Sequence, residues 1–422
     1  MKKFFKNKIL QITSDWWETF RFEKPAYDTA FYDRHVIDIL QCSDPQFGFT
    51  QYMCTSCGKD GKYVAFSCKS RLCLRCGRVS GEKFAKNLKS KLHPDIPYRH
   101  LVLTIPEQYR KYFYDSRLKS DLFNLFYQAG KECVEDFVSK VLGVEVESGC
   151  IIVLHTVGRN CRYNPHLHVL LMGGGVNVKT KEWVTLPMKF DYTILHHSWT
   201  KALMRNLYKW DALGLYREEM DEVLNKYKKF VCHIDDKEVP TKPDALISYL
   251  SRYISKPHMS ASRILKYDPM TGMVEFRYNS HKTKRYEREK ITAINFLGRL
   301  LQQILPKGFQ KTRYYGLQAA KNKKRLNMIV AKSLGNFGLE DLEEEKRRDS
   351  IEDDEARAKT RITYADLCIL WWGKDPFSCS YCGHKMELVR IWERCKGFTY
   401  SLFINVLGKD TGPPGAVPAF LH

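Results

Sequence analysis

A short run around His166 and His168 constrains the fold of this chain more than any other segment. Leu167, Val169 and Leu171 alternate with the two histidines, and alternate residues of a β-strand point to opposite faces of a sheet. The pattern therefore predicts a strand with both imidazoles on one face and an apolar surface on the other. Two imidazoles on one face form half of a metal site, but so short a motif needs support from elsewhere in the chain.

Composition indicates a folded protein with a polyanionic partner. The chain has 422 residues, of which 44% are hydrophobic and 13% aromatic, and its net charge is +21. The length favours two or three domains. The positive charge favours nucleic acid as the partner, over a merely solvated basic surface or an interaction with anionic lipid. The sequence contains no run of about 18 apolar residues, which a membrane-spanning helix would require, and we recognise no secretion signal. The 14 cysteines are therefore expected to be reduced thiols and metal ligands in the cytoplasm.

Hydrophobic periodicity predicts both helices and strands along the chain. The predicted helices lie within 1–40 and at 121–142, 244–255 and 294–304, and the predicted strands lie at 100–105, 150–157, 166–172 and 273–278. The strands at 150–157 and 166–172 resemble a hairpin around a polar loop. Residues 340–359 are densely charged and predict a linker or a solvated helix. The predicted domain organisation is a helical and cysteine-rich module at 1–95, a larger domain at 96–335, a charged linker at 336–362 and a small C-terminal segment at 363–422.

Two Cys-x2-Cys turns, separated by fifteen residues, match the spacing of a four-thiolate zinc ribbon. The predicted zinc ligands are Cys54, Cys57, Cys73 and Cys76. Basic residues surround these turns, so the module is expected to recognise DNA, and a purely structural zinc clip is the alternative.

The remaining cysteines near these turns and at the C-terminus have no clean partner in the sequence. Cys68 is predicted either to ligate zinc, at this site or a second one, or to be a buried thiol. For Cys42 an ordinary buried thiol is the favoured prediction, and a zinc ligand at this site or a second one is the alternative. For Cys379 and Cys382, a half site, a looser zinc site and two unliganded thiols remain open.

Two tyrosines lie four residues apart on the helix predicted at 244–255. At that spacing Tyr249 and Tyr253 share one side of the helix, with Arg252 and Lys256 beside them. Tyrosines in this pattern usually pack against a core. Here two phenols and two cations form a candidate phosphate site.

The histidine pair and the tyrosine pair together favour one chemistry. A phenol is a poor nucleophile near pH 7, and a divalent ion that polarises a phosphate compensates for this. We expect His166 and His168 to hold that ion and Tyr249 and Tyr253 to be nucleophiles. His155 is the candidate third ligand, and a hydrogen-bonded core histidine is the alternative for it.

Five motifs in this order resemble one known family. They are the cysteine cluster ending at 67–76, the strand at 100–106, Asn164-Pro165-His166-Leu167-His168, Tyr249-Leu250-Ser251-Arg252-Tyr253, and the segment 305–316. The chain resembles, over nearly its whole length, the two-tyrosine rolling-circle transposases of the HUH superfamily, of the insertion sequence ninety-one type. Leu74 departs from the proline that the family often has between its last two cysteines.

The resemblance implies an α+β fold, with an antiparallel HUH endonuclease-type sheet flanked by helices and an N-terminal zinc-binding module. It also implies a transposase in which a tyrosine attacks single-stranded DNA at transposon ends and targets, leaving a 5′-phosphotyrosine and a free 3′-hydroxyl. The implied cofactors are Mg²⁺ or Mn²⁺ at the histidines and Zn²⁺ at the cysteines, with no nucleotide cofactor. Since the chain has no P-loop motif, a host helicase or replication machinery is the expected partner, at the bacterial nucleoid.

Basic residues near these motifs are expected to contact DNA, although any single one of them equally fits a solvated surface. They are Arg71, Arg75, Arg252, Lys256, Lys282, Lys284, Arg285 and Arg313. Two other functions remain open. One is a rolling-circle replication initiator or relaxase with the same chemistry, and the other is a zinc-dependent DNA-binding regulator that does not cleave DNA.

Overall fold

The computed structural model describes residues 7–70, 72–89, 91–93, 96–115, 120–187, 189–234, 259–280, 283–334 and 363–402. The helices of this part are α1 (Lys8–Glu23), α2 (Ala30–Leu40), α3 (Leu74–Lys89), α4 (Arg110–Asp115), α5 (Asp121–Leu142), α6 (Tyr192–Trp210), α7 (Arg217–Tyr227), α8 (Ala293–Leu301), α9 (Lys323–Leu334) and α10 (Tyr364–Trp372). Its strands are β1 (Gly48–Met53), β2 (Gly61–Ala65), β3 (Tyr98–Thr104), β4 (Val146–Val157), β5 (Tyr163–Asn177), β6 (Trp183–Thr185), β7 (Cys232–Ile234), β8 (Ile264–Asp268), β9 (Met273–Asn279), β10 (Tyr286–Thr292), β11 (Thr312–Gly316), β12 (Glu387–Glu393) and β13 (Gly397–Ser401).

The chain divides into two compact units, and the first unit combines its two ends. This unit comprises residues 1–83, 269–272 and 359–422, and the second comprises the rest. The first unit contains a four-stranded antiparallel sheet in the order β13-β12-β1-β2, in which Gly48 pairs with Glu393. The prediction of a separate C-terminal segment is therefore wrong, because strands from that segment complete a sheet begun near the N-terminus.

Helices α1 and α2 of the first unit follow from sequence. The Asn7 side chain caps α1 by accepting a hydrogen bond from the Ile9 backbone N–H. Apolar residues of α1 such as Ile12 and Phe20 are buried. Trp17 Nε1 donates to Asp33 Oδ1 of α2 at 3.0 Å, which fixes the two helices against each other.

The second unit is built on a larger antiparallel sheet. Its strand order is β11-β4-β5-β3-β7, and the short β6 pairs with the far end of β5. The predicted hairpin is present as β4 and β5, which pair from Val146–Asn177 to Val157–Tyr163. Helix α5 has the predicted bounds, because its apolar residues recur at helical spacing and Gly143 ends it in the left-handed region at φ 68°. The prediction of an α+β fold with antiparallel sheets flanked by helices is confirmed.

The two faces of this sheet are covered differently. Leu167, Val169 and Leu171 of β5 pack into the core that α5 and α6 share with the sheet. A Cβ at Gly130 of α5 would lie 2.8 Å from Leu167 Cδ1, so this helix approaches the sheet closely behind the two histidines. On the opposite face Leu170 and its neighbours pack against α9 and the end of α3. His166 and His168 lie on that opposite face, as the alternation of residues predicted.

A smaller antiparallel sheet, in the order β10-β9-β8, is connected to the turn between β4 and β5. Arg299 of α8 makes a bidentate ion pair with Glu289 of β10, at 2.7 and 2.9 Å, and donates to the carbonyl of Asn160 in the turn at 3.2 Å. Arg162 in the same turn also donates to Glu289, at 2.9 Å. Hydrogen bonds from Arg299 and then Arg162 lower the pKa of Glu289 to about 2. The ion pairs of Glu289 therefore stabilise the folded state at neutral pH. This stabilisation is lost as the pH falls toward about 2 and the carboxylate is protonated.

The predicted tyrosine helix at 244–255 and the charge-dense run at 340–359 lie outside the described residues. The predicted helix at 294–304 and strand at 273–278 are found as α8 and β9. Among the described residues, no helix has both the length and the apolar character that crossing a bilayer requires.

Candidate active site and cysteine clusters

Three histidines of the second unit converge at the turn end of the β4–β5 hairpin. His155 pairs directly with His166 across the two strands, and His168 lies two residues along the same face of β5. One ring nitrogen of each histidine lies within 4.8 Å of the other two. The strand register shifts beside His155, and such bulges often re-aim a side chain at a functional site. The sequence-predicted ligands are thus brought together in one cluster.

His166 is held in the form that a metal ion requires. Its Nδ1 lies 2.7 Å from the Asn164 carbonyl oxygen. Because a carbonyl can only accept, Nδ1 carries the proton and Nε2 is left as the ligand atom. Burial, together with the positive charges of Lys311 and Arg110, lowers the pKa of His166 to about 4, although the hydrogen bond with the Asn164 carbonyl raises it. The imidazole is therefore neutral near pH 7 and has a lone pair to give.

His168 is oriented by a fourth histidine that the sequence reasoning missed. His100 Nε2 lies 2.8 Å from His168 Nδ1, with the two rings nearly parallel. A hydrogen bond from His168 Nδ1 to His100 leaves Nε2 of His168 as the ligand atom for the cluster. The sequence has no local signal for His100, because its position depends on the register of β3 with β5: it lies two residues from Val102, which pairs with His168. Those residues share one face of the sheet.

We expect that replacing His100 with phenylalanine will weaken the binding of Mn²⁺ to the protein about 10- to 100-fold. The ring volume is kept, but the hydrogen-bond acceptor for His168 Nδ1 is lost. Calorimetric titration with Mn²⁺ measures the affinity. The matched control is His197→Phe, at an exposed position on α6. An affinity in His100→Phe equal to that of the control would remove the orienting role from His100.

Two cationic side chains lie near the histidines, and the sequence reasoning assigned neither of them to this site. Arg110 at the start of α4 and Lys311 before β11 are partly buried, and both charges act on the imidazole of His166. Arg110 belongs to none of the five motifs and Lys311 lies in the segment 305–316, but the two residues come from different elements and only the fold brings them to the site. Cations in this position suit a phosphate oxyanion.

The predicted DNA contacts differ in their surroundings. Arg75, Lys284 and Arg285 are exposed. Arg313 instead donates to Asn124 and lies over the Tyr127 ring, 4.1 Å from its centroid, so its side chain is engaged within the fold. The remaining predicted contacts lie outside the described residues: Arg71, Arg252, Lys256 and Lys282.

The first unit contains a four-cysteine cluster that differs from the predicted one. Its members are Cys42, Cys68, Cys73 and Cys76. The Sγ atoms of Cys42 and Cys76 are 3.5 Å apart, and those of Cys68 and Cys76 are 3.6 Å apart. Zn–S bonds of about 2.3 Å in a tetrahedron require sulfur atoms about 3.8 Å apart, whereas a disulfide requires about 2.05 Å. The cluster therefore fits zinc, and Cys42 takes the alternative role of a ligand rather than the favoured one of an ordinary buried thiol.

The other two predicted zinc ligands belong to a second cluster. Cys54 and Cys57 lie with Cys379 and Cys382, and the ligand atoms of these four residues are all within 4.8 Å of one another. The predicted grouping of Cys54 and Cys57 with the turn at 73–76 is therefore wrong. Its physical cause is the pairing of β1 with β12, which brings the C-terminal turn beside the N-terminal one.

Comparisons with known proteins match two separate regions of the chain to transposase families. A family profile described as "Transposase zinc-binding domain" matches residues 12–105, and one described as "Putative transposase" matches residues 149–325. The "Transposase for insertion sequence element IS801" of Pseudomonas savastanoi pv. phaseolicola is 25% identical over 365 residues, covering 83% of this chain and 82% of that protein. The "Putative transposase y4qJ" of Sinorhizobium fredii (strain NBRC 101917 / NGR234) is 25% identical over 327 residues, covering 73% of this chain and 79% of that protein.

No protein of known structure matches the chain significantly. The three clustered histidines lie within the second matched region, and the first four-cysteine cluster lies within the zinc-binding match. Cys379 and Cys382 lie outside both matched regions.

Proposed function

Because this chain belongs to the insertion sequence ninety-one type family of transposases, we propose that it cleaves and rejoins single-stranded DNA through 5′-phosphotyrosine intermediates in rolling-circle-type transposition. The observation that carries this proposal is the cluster of His155, His166 and His168 on one face of the central sheet. Both relatives are named as transposases, which favours this function over a replication initiator or a relaxase.

The histidine cluster fits a divalent ion, for which Mn²⁺ or Mg²⁺ is proposed. His166 is neutral near pH 7 and presents Nε2, and His168 is aligned by His100. A bound divalent ion would polarise a scissile phosphate and stabilise the charge that develops on its oxygens. Arg110 and Lys311 add positive charge beside the imidazoles and so favour the approach of the DNA backbone.

Tyr249 and Tyr253 are the proposed nucleophiles. They belong to residues 235–258, which lie outside the described residues, but the described residues on either side support the assignment. On one side His233 pairs with Val102, which pairs with His168. Two strand spacings separate His233 from His168, a distance of about 10 Å.

On the other side of the tyrosine segment, Met259 lies beside Cys161 in the turn between β4 and β5, where both line a small cavity with Phe276. His155 and His166 lie at that same end of the hairpin. The last described residues before the segment thus belong to the central sheet, and the first one after it lies at the turn end of the hairpin. Ends in these positions are compatible with a phenol that reaches a phosphate held at the cluster.

The proposed step is a transesterification. The phenolic oxygen of one tyrosine forms a bond to phosphorus, and the bond from phosphorus to the 3′ oxygen of the neighbouring nucleotide breaks. The phenol loses its proton to solvent, and the departing 3′ oxygen takes one up. The phosphodiester energy is kept in the tyrosine–DNA bond, so a 3′-hydroxyl can reverse the step without a nucleotide cofactor.

The proposal is tested by incubating the purified protein with single-stranded DNA that contains the element end. We expect a covalent protein–DNA adduct, seen as a slower band on a denaturing gel, in the presence of Mn²⁺ and not with a chelator. Fully double-stranded DNA of the same sequence is the control and should give much less adduct. Sequence-specific binding without any adduct would support the non-cleaving regulator instead.

A further inference from the structure

The structure carries a second four-cysteine cluster that none of the matched families covers completely. We infer that Cys54, Cys57, Cys379 and Cys382 bind a zinc ion of their own, which joins the C-terminal segment to the N-terminal segment of the first unit. This zinc is additional to the one expected at the turn around 73–76. The inference does not depend on the proposed strand cleavage.

The sulfur positions of this second cluster match a tetrahedral zinc site. The Sγ of Cys54 lies 3.5 Å from that of Cys382 and 3.6 Å from that of Cys57. The Sγ atoms of Cys57 and Cys379 are 3.6 Å apart. These distances are close to the roughly 3.8 Å expected for four thiolates around zinc, and far from the roughly 2.05 Å of a disulfide.

The two halves of the cluster have the same local backbone. Each is a Cys-x2-Cys-Gly turn, in which the glycine N–H donates to the carbonyl of the first cysteine, at 2.9 Å for Gly58 and 3.0 Å for Gly383. Both glycines have positive φ, 66° and 73°, which a residue with a side chain adopts only with strain. A turn of this kind points two thiolates at one ion. The turn at 73–76 has the same bond, from Gly77 to Cys73 at 2.7 Å.

A backbone amide faces one of the sulfur atoms in the C-terminal turn. The Tyr381 N–H donates to Cys379 Sγ at 3.4 Å. Since zinc binds thiolates rather than thiols, an amide in this position suits a metal site.

Contacts outside the ligands hold the two turns face to face. Asp60 Oδ2 accepts hydrogen bonds from both the backbone N–H and the hydroxyl of Ser380, each at 2.8 Å. Lys62 Nζ donates to the Pro376 carbonyl at 2.6 Å. Polar contacts of this kind orient ligands and are part of a metal site.

Four thiolates leave no open position for a substrate, so the site is structural rather than catalytic. Its ligands are distant in sequence, since Cys57 and Cys379 are 322 residues apart. The cluster is partly exposed at Cys382, which gives the ion a route of entry. The zinc would therefore close a long loop of the chain and stabilise the pairing of β12 with β1.

The zinc content of the full-length protein tests this inference. All variants are made in a His166→Ala/His168→Ala background, so that zinc at the histidine cluster does not enter the count. We expect two zinc ions per chain by elemental analysis in that background. One zinc is expected after Cys379→Ser/Cys382→Ser, and two are expected after Cys395→Ser, at an exposed cysteine outside both clusters.

A second variant separates ligand loss from misfolding. Cys382→His replaces an exposed thiolate by another zinc ligand, so two zinc ions should remain, whereas Cys382→Ser should lower the zinc content toward one. Two zinc ions retained in Cys379→Ser/Cys382→Ser, or one zinc in the background protein, would overturn the inference. Equal zinc content in Cys382→His and Cys382→Ser would overturn it as well.

Discussion

Replacing both Tyr249 and Tyr253 with phenylalanine is expected to abolish the covalent adduct between this protein and single-stranded DNA. The substitution removes only the phenolic oxygens, and a phenylalanine cannot form a phosphodiester. Binding of Mn²⁺ at the histidine cluster should be unchanged, because neither hydroxyl is a proposed ligand. Denaturing gels quantify the adduct, and titration with Mn²⁺ measures the binding.

The single variants Tyr249→Phe and Tyr253→Phe distinguish the roles of the two tyrosines. Each single variant is expected to keep cleavage of one strand and to lose the joining of two DNA ends, since one tyrosine must hold the first end while the other cleaves the second. Tyr286→Phe is the matched control, because Tyr286 is 71% exposed at the start of β10. Loss of adduct in the control equal to that in the double variant would point to a general effect of losing a tyrosine.

Replacing both His166 and His168 with alanine is expected to lower the rate of strand cleavage by about a thousandfold or more. A divalent ion contributes several kcal/mol to the stabilisation of charge on a reacting phosphate, and each 1.36 kcal/mol corresponds to about tenfold in rate. The same variant should no longer bind Mn²⁺, because two of three imidazoles in the cluster are gone. Calorimetry and single-turnover cleavage measure the two effects.

The matched control for this variant is His197→Ala, which removes an exposed imidazole from α6. Its cleavage rate and Mn²⁺ affinity should match those of the original protein. His155→Ala should fall between the control and the double variant, since it removes one ligand and leaves two. If the double variant cleaved DNA at the original rate with Mn²⁺ still bound, the histidine cluster would not be the metal site.

The sequence predicts the central strand of this site well because the determinant is local. Strand alternation at His166 to Leu171 assigns each side chain to a face, and the structure has the same assignment. The bounds of α5 follow similarly from helical periodicity and from Gly143 at its end. His100 was missed because its role depends on the register of β3 with β5, which no local pattern specifies.

The grouping of the cysteines, in contrast, could not be predicted from local sequence. Two Cys-x2-Cys turns close in sequence suggest one zinc site, yet spacing alone does not say which turns meet in space. The pairing of β1 with β12 determines which turns meet. These two strands are more than 300 residues apart in the sequence. Cys54 and Cys57 therefore lie beside the C-terminal turn, while Cys42 and Cys68 complete the cluster around Cys73 and Cys76.

Mass spectrometry of the covalent adduct tests the central claim most directly. The adduct formed with single-stranded element-end DNA is treated with nuclease and protease, and the peptides that carry a nucleotide are sequenced. The account predicts a 5′-linked nucleotide on Tyr249 or Tyr253 in the original protein, and none on either residue after His166→Ala/His168→Ala. A nucleotide attached to any other residue, or cleavage that leaves no attached nucleotide, would contradict it.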